Sequence, residues 1–314
     1  MRLRIEEVGD KQVRIWCGQT AVLEYTYRPD VNPLFCPRPY VHPLRTLDGD
    51  VVTNLRPTDH PWHLGLSMTL TDVSGTNFWG GTTYTRESGT YTQLPNSGTQ
   101  LHVAWLDQRV ADGSCELTES LDWIGPTGRR IFRETRTLRV QDVRPEIPMW
   151  RLIWKSELEN VSGEDLTHNS YCSGAGLGGS GYTGLFMRMS RGFCKTHERI
   201  FRGSAEPEWD DYHDGVETIE SENINGRKGS RLAYQGVFDT SLNGALLILQ
   251  DLTPEPSYEH HWFHRPNLPC LAWSTAFYKA MTIKADECLR FRHGLGVVSG
   301  FWNRERVSRL WIDP

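Results

Sequence analysis

The sequence predicts an all-β chain, a large antiparallel β-sandwich of two stacked sheets with few short helices. Three observations carry that expectation. Apolar residues recur with period two over many short stretches, the spacing of a strand buried on one face. Turn signals interrupt them at short intervals: Asp48-Gly49, Ser74-Gly75, Asp112-Gly113, Pro126-Thr-Gly128, Ser162-Gly163, Asn225-Gly226 and Asn243-Gly244. Stretches with the 3.6-residue period of an amphipathic helix are hard to find. The 29 glycines and 17 prolines, spread along the length, suit short strands joined by turns.

Taken in order, Val13, Ile15 and Cys17 alternate with polar neighbours. From Trp62 a second strand places Trp62, Leu64, Leu66 and Met68 on one face, and His63, Gly65, Ser67 and Thr69 on the other. Leu117, Leu121 and Trp123 alternate more loosely, and Phe132 to Leu138 is polar-rich, as an exposed sheet face would be. The clearest strand runs from Trp150 to Leu158, with Trp150, Leu152, Trp154 and Leu158 on one side. Gly244-Ala-Leu-Leu-Ile-Leu249 is an apolar run of strand length, and Leu289, Phe291 and His293 repeat the alternation near the end. A polar excursion around residues 203–231, including Glu208-Trp-Asp-Asp-Tyr-His-Asp-Gly215, reads as a long loop or an active-site lid. No repeat and no low-complexity linker divides the chain, so residues 1–314 are expected to form a single β-sandwich domain.

Composition excludes several functions. Thirty-four basic and 39 acidic residues give a net charge of −5 with no long basic block, so neither a nucleic-acid footprint nor a polybasic membrane patch is expected. No run approaches the roughly 20 apolar residues of a membrane helix. The N-terminus lacks the apolar core of a signal peptide, and the seven cysteines are odd in number with no Cys-x-x-Cys, so a cytoplasmic protein with reduced thiols is expected. Gly174-Ala-Gly176-Leu-Gly178-Gly179 matches a dinucleotide-binding pattern by letter, but neither a continuous apolar strand before it nor a helix start after it is present.

The densest chemistry lies in Thr58-Asp59-His60-Pro61-Trp62-His63-Leu64-Gly65. Two imidazoles and a carboxylate crowd around a proline that bends the chain, where neighbours and burial tune each group for proton transfer. The small residues Gly65 and Ser67 beside His63 leave open space above its ring. Imidazoles three apart point to opposite faces of a regular strand, so a metal is not expected; a bend at Pro61, with His42 as third ligand, is the alternative. In His260-His261-Trp262-Phe263-His264-Arg265, strand alternation puts His260, Trp262 and His264 on one face, an arrangement suited to a sugar ring stacked on an indole.

Three segments also resemble a known family: Arg38-Pro-Tyr-Val-His-Pro-Leu-Arg-Thr-Leu-Asp-Gly49, Pro57-Thr-Asp-His-Pro-Trp-His-Leu-Gly65 and Asp72-Val-Ser-Gly-Thr-Asn-Phe-Trp79. They are similar to the PmoA-like family, also catalogued as a family of unknown function, DUF6807. Gly176 to Arg188 resembles its middle, and Pro256 to Trp262 with Arg265-Pro266 its late motif, although Glu259-His260-His261 stands where Arg-His-Pro is more usual. The likeness covers about residues 38 to 295. The family label suggests a methane-oxygenase subunit, which would be membrane-embedded, and the chain has no spanning segment. The resemblance implies instead a galactose mutarotase-like β-supersandwich whose concave sheet binds a sugar or oxidised sugar derivative.

The expectation is general acid/base chemistry of epimerase, mutarotase, lyase or hydrolase type, without a cofactor. His63 would be acid or base, His60 its partner, and Asp59 the group fixing an imidazole tautomer. Arg38 and Arg265 would grip a carboxylate or carbonyl, Trp79 and Trp262 would stack on the ring, and His42 and His264 would complete the substrate site. Trp62, by alternation, is expected in the core. A metal-dependent enzyme and a non-catalytic sugar-binding module are the alternatives. The partner would be a small carbohydrate, and a homo-oligomer is left open.

Overall fold

A computed structural model describes residues 1–194, 199–203, 217–219, 224–254, 256–308 and 310. Two large sheets dominate it. The smaller has eight strands in the order Leu3–Val8, Gln12–Cys17, Thr20–Thr26, Tyr40–Leu44, Leu66–Thr69, Gly184–Arg188, Cys270–Ser274 and His261–Arg265. The larger has nine, ordered Glu217–Ile219, Arg199–Gly203, Arg231–Val237, Gly244–Asp251, Cys288–Ser299, Met149–Asn160, Arg130–Arg144, Ser114–Ile124 and Thr99–Ala111. Every pairing within both sheets is antiparallel. Among the described residues the sole α-helix is Arg304–Ser308. Most of the polar segment at 203–231 lies outside the described residues, residues 208–215 included.

Alternation along each strand decides what the sheets bury. Trp150, Leu152, Trp154 and Leu158 point into one shared core with Val13, Ile15, Cys17, Leu66, Met68 and Trp123. The opposite face of the larger sheet carries a second cluster, in which Met149, Leu246, Ile248 and Val298 are covered by Trp302, Val307 and Leu310. The polar run at residues 132–138 is less exposed than its composition suggests. Phe132, Glu134, Arg136 and Leu138 are all buried, because the charged members pair inside the sandwich.

That pairing ties the two sheets together. Arg136 Nη2 and Nε donate to Glu134 at 2.7 and 2.8 Å, and the indole of Trp123 and the hydroxyl of Ser156 donate to the same carboxylate. Arg136 Nη1 also donates to the Tyr25 hydroxyl, 3.0 Å away on the smaller sheet, which itself donates to Glu119; Glu119 then meets His102 Nδ1 at 2.6 Å. Buried charge is tolerable only where every group finds such partners.

The outer face of the smaller sheet carries a third, largely aromatic cluster: Trp79, Phe186, Phe263, Cys270, Ala272 and Phe277. Within Gly184–Arg188, Leu185 and Met187 enter the shared core while Phe186 enters this outer cluster, and Trp262 and Phe263 divide the same way. Loops folded over that outer face enclose the cavity described next.

Candidate functional site

Two successive turns shape residues 57–63. The His60 N–H donates to the Pro57 carbonyl at 3.1 Å, and the His63 N–H to the His60 carbonyl at 3.0 Å. Pro61 occupies the second position of the latter turn, where its fixed φ is favoured. The loop closes through Arg56 N–H donating to the His63 carbonyl at 2.9 Å. Regular strand alternation therefore starts only after His63. The turn brings two imidazoles that a straight strand would separate into a stack, with ring centroids 4.7 Å apart and planes 23° from parallel.

A guanidinium from a distant strand completes the group. Arg188 ends Gly184–Arg188, and its backbone is tied to the same loop: its N–H donates to the Gly65 carbonyl and its carbonyl accepts from Asn54, both at 2.8 Å. Its Nη2 donates to both Asp59 oxygens at 2.9 and 3.3 Å, and its Nη1 donates to His63 Nδ1 at 3.3 Å. Because a guanidinium can only donate, Nδ1 of His63 must accept, and a neutral His63 carries its proton on Nε2. His60 Nδ1 lies 3.4 Å from Asp59 Oδ2, a charge contact outside good hydrogen-bond alignment. Its Nε2 has no partner among the described residues.

Electrostatics sharpen the division. His63 is 3% exposed. Burial, then the neighbouring His60, Arg188 and Arg38, push it well below the ordinary histidine range, so it is neutral at physiological pH. Burial also lowers half-buried His60, against the pull of Asp59. For Asp59, burial alone would raise the carboxyl, but Arg188 and His60 outweigh it and hold the group ionised.

His60 and His63 line a cavity of about 340 Å³. Its walls are Trp62, Trp79, Tyr182 and Phe263, with Tyr91, Thr82, Ser180, Leu268, Cys270 and Arg265 at the remaining sides. The Tyr182 ring packs 4.5 Å from Trp79 and 5.3 Å from Phe263. The Arg265 guanidinium lies 4.8 Å from the centre of the Phe263 ring and donates to the carbonyls of Gly179 and His264 at 2.8 and 3.1 Å. No carboxylate among the described residues pairs with Arg265, whereas Arg188 is matched by Asp59, so the cavity holds one net positive charge. Burial pushes the Cys270 thiol up to about 12, which makes it a poor nucleophile.

The sequence profile of a family of unknown function, DUF6807, matches residues 12–312. The chain belongs to this family. No curated protein matches it in sequence. Two solved structures of GH36 alpha-galactosidase AgaA from Geobacillus stearothermophilus are similar in part. One, a variant in complex with raffinose, has a TM-score of 0.41 at 10% identity and covers 95% of this chain. The other has a TM-score of 0.39 at 10% identity, again over 95%. The DUF6807 chain spans only 40% of the length of either galactosidase chain.

Of the residues singled out in the sequence, this DUF6807 structure brings His60, His63, Trp79 and Arg265 to the cavity, with Asp59 behind them. It places four elsewhere. Arg38 is fully buried, its guanidinium donating to Ser67 Oγ and to the carbonyls of Phe35, Cys36 and Trp62, so it clips the loop and has no free face for substrate. His42 meets Thr53 Oγ1 at 2.9 Å and lines no wall of the cavity. Trp262 and His264 point into the sandwich, His264 meeting the Tyr234 hydroxyl at 3.1 Å. Trp62, expected in the core, lines the cavity instead, because the turn at Pro61 breaks the register. Among the described residues, no three His, Cys, Asp or Glu side chains are grouped to hold a metal. Arg188, Tyr182, Tyr91 and Phe263 went unread. Arg188 and Phe263 could have been found by noting that each lies on the strand face opposite the core.

Among the described residues, no helix is long and apolar enough to cross a membrane.

Proposed function

We propose that the cavity binds a sugar acid and moves a proton at the carbon beside its carboxylate. The observation that carries this reading is one geometry. His63 is held neutral with its proton on Nε2 by Arg188, next to an unpartnered His60 Nε2, in an aromatic chamber whose only uncompensated charge among the described residues is Arg265. Aromatic walls suit the apolar face of a pyranose, and a planar guanidinium suits a carboxylate. His60 Nε2 takes the proton from carbon as general base. The electron pair moves into the carboxylate, where His63 Nε2–H and Arg265 stabilise the developing oxyanion, as a neutral imidazole donor does best when its own pKa is lowered. The protonated His60 then gives its proton to a departing oxygen, which completes elimination; returned to the same face of the carbon, the proton regenerates substrate and shows only as exchange.

Each positioned proton transfer contributes about 10²–10⁴-fold. The test is a screen of uronic and aldonic acids and their glycosides, followed by NMR in deuterated water. Solvent deuterium should appear at the carbon beside the carboxylate, and His60→Gln should abolish the exchange while the variant stays folded. A wild type that binds such acids without exchange or turnover would overturn the catalytic part and leave a sugar-binding module.

A further inference from the structure

A second recess of about 320 Å³ opens beside the main cavity, lined among others by Asp72, Tyr84, Arg86, Asn96, Asn169 and Tyr171. One layer of tyrosine rings separates the two. Tyr91 and Tyr182 face the main cavity, and their hydroxyls meet at 3.0 Å. Behind them, Tyr171 packs 5.8 Å from Tyr91 and 5.5 Å from Tyr182, and Tyr84 packs 5.4 Å from Tyr91. Tyr84 and Tyr91 belong to the short hairpin Thr83–Thr85 and Thr90–Thr92, in which Tyr91 is 43% exposed.

The recess has the chemistry of a neutral-sugar site. Asp72 accepts from the Gly75 N–H at 2.8 Å and from Asn169 Nδ2 at 3.3 Å, which leaves further lone pairs on a carboxylate that is only partly exposed. Asn96 spends one amide hydrogen on the Gly75 carbonyl and accepts from Thr83, keeping another donor. Arg86 is held by Nε on the Ala175 carbonyl at 3.3 Å, and its two Nη nitrogens have no partner among the described residues. The Tyr171 side chain forms the inner wall of the recess: the residue is 3% exposed, and its hydroxyl lies in reach of Thr83 and the Tyr84 backbone without an aligned bond to either.

Resting on the proposed sugar-acid reading, we infer that this recess is a second subsite, so that the ligand is a disaccharide or longer glycoside. Its acid ring fills the main cavity, and its neighbouring neutral ring crosses the Tyr91–Tyr182 hydroxyl pair into the recess. Each chamber alone is at the small end of the roughly 300–1,000 Å³ usual for ligand sites, which suits one ring apiece.

Calorimetric titration with glucuronate and galacturonate, and with cellobiouronic and digalacturonic acids, tests this. A disaccharide should bind at least about tenfold more tightly than its monosaccharide acid. Tyr171→Phe and Asn169→Ala should erase that gain and leave monosaccharide binding unchanged. Monosaccharide binding that is weakened by Arg265→Met, with no gain for either disaccharide or a gain that survives both variants, overturns the subsite and leaves the sugar-acid reading standing. No binding of any of the four acids overturns both.

Discussion

Acidification from pH 7 to pH 5 is expected to remove about 4 kcal/mol of stability through His168 and His293 alone, a figure that follows from burial. Both rings are buried, and burial pushes each down to about 4. His168 is satisfied as a neutral ring: Nδ1–H donates to the Asp72 carbonyl at 3.2 Å, while Nε2 accepts from the hydroxyls of Thr183 and Thr275 at 3.2 and 3.3 Å. His293 has the Asp251 carboxylate 3.6 Å away, which does not offset its burial. In the unfolded chain both rings take up a proton near 6.5. As pH falls the unfolded state therefore charges first. The contribution is complete above that value, declines below it, and is gone once the folded rings protonate near 4. The gap is worth roughly 3 kcal/mol per ring, of which about 2 kcal/mol is lost by pH 5. Against a typical total of about 5–15 kcal/mol, that is a large share. Urea unfolding at the two pH values, read by tryptophan fluorescence, measures the loss. Since the Asp72 carboxyl, raised by burial, works in the opposite sense, ring NMR titrations must accompany it. Either ring titrating near 6.5 in the folded protein would refute the reasoning.

Three further outcomes are expected. If His60 is the base, kcat/KM on a sugar acid should fall on the acid side through a pKa below the ordinary histidine value, because burial outweighs Asp59; a limb at or above 6.5 would remove His60 from that role. Arg38→Met should lower unfolding free energy by about 3 kcal/mol or more, since it strands the carbonyls of Phe35, Cys36 and Trp62. Measured in denaturant, a loss below about 1 kcal/mol would contradict its place as an internal clip. Gly81→Ala puts a methyl group 2.5 Å from the Trp62 ring at a φ of +70°. It should cost about 1–3 kcal/mol and shift tryptophan emission by displacing that wall, whereas an unchanged melting temperature would show that the wall yields freely.

The fold was legible because alternation is a local signal. Trp150 to Leu158 and Leu66 to Met68 state their inward faces in the sequence itself. Of the residues around the cavity, those legible in the sequence were the crowded run at 59–63 together with Trp79 and Arg265, and the misplaced tryptophans share one cause. Trp62 and Trp262 exchanged their expected places, since a two-residue pattern carried through Pro61 ignores the turn, and along residues 260–264 it does not say which face meets the core. Arg188 and Arg38 show the other limit. Both are guanidiniums whose fate the chain does not state: Arg188 reaches His63 and Asp59 from 125 and 129 residues away, while Arg38 is spent on the carbonyls of Phe35, Cys36 and Trp62.

The linkage from Tyr25 through Glu119, Arg136 and Glu134 has a consequence for descent. No path of single replacements leads from it to a hydrocarbon interior without passing through a chain with a stranded ion, a step of about 3–5 kcal/mol. Drift at these four positions is thus confined to coordinated change. In divergent relatives the quartet should survive intact or vanish together, which makes it a better marker of common ancestry than the loops around the cavity.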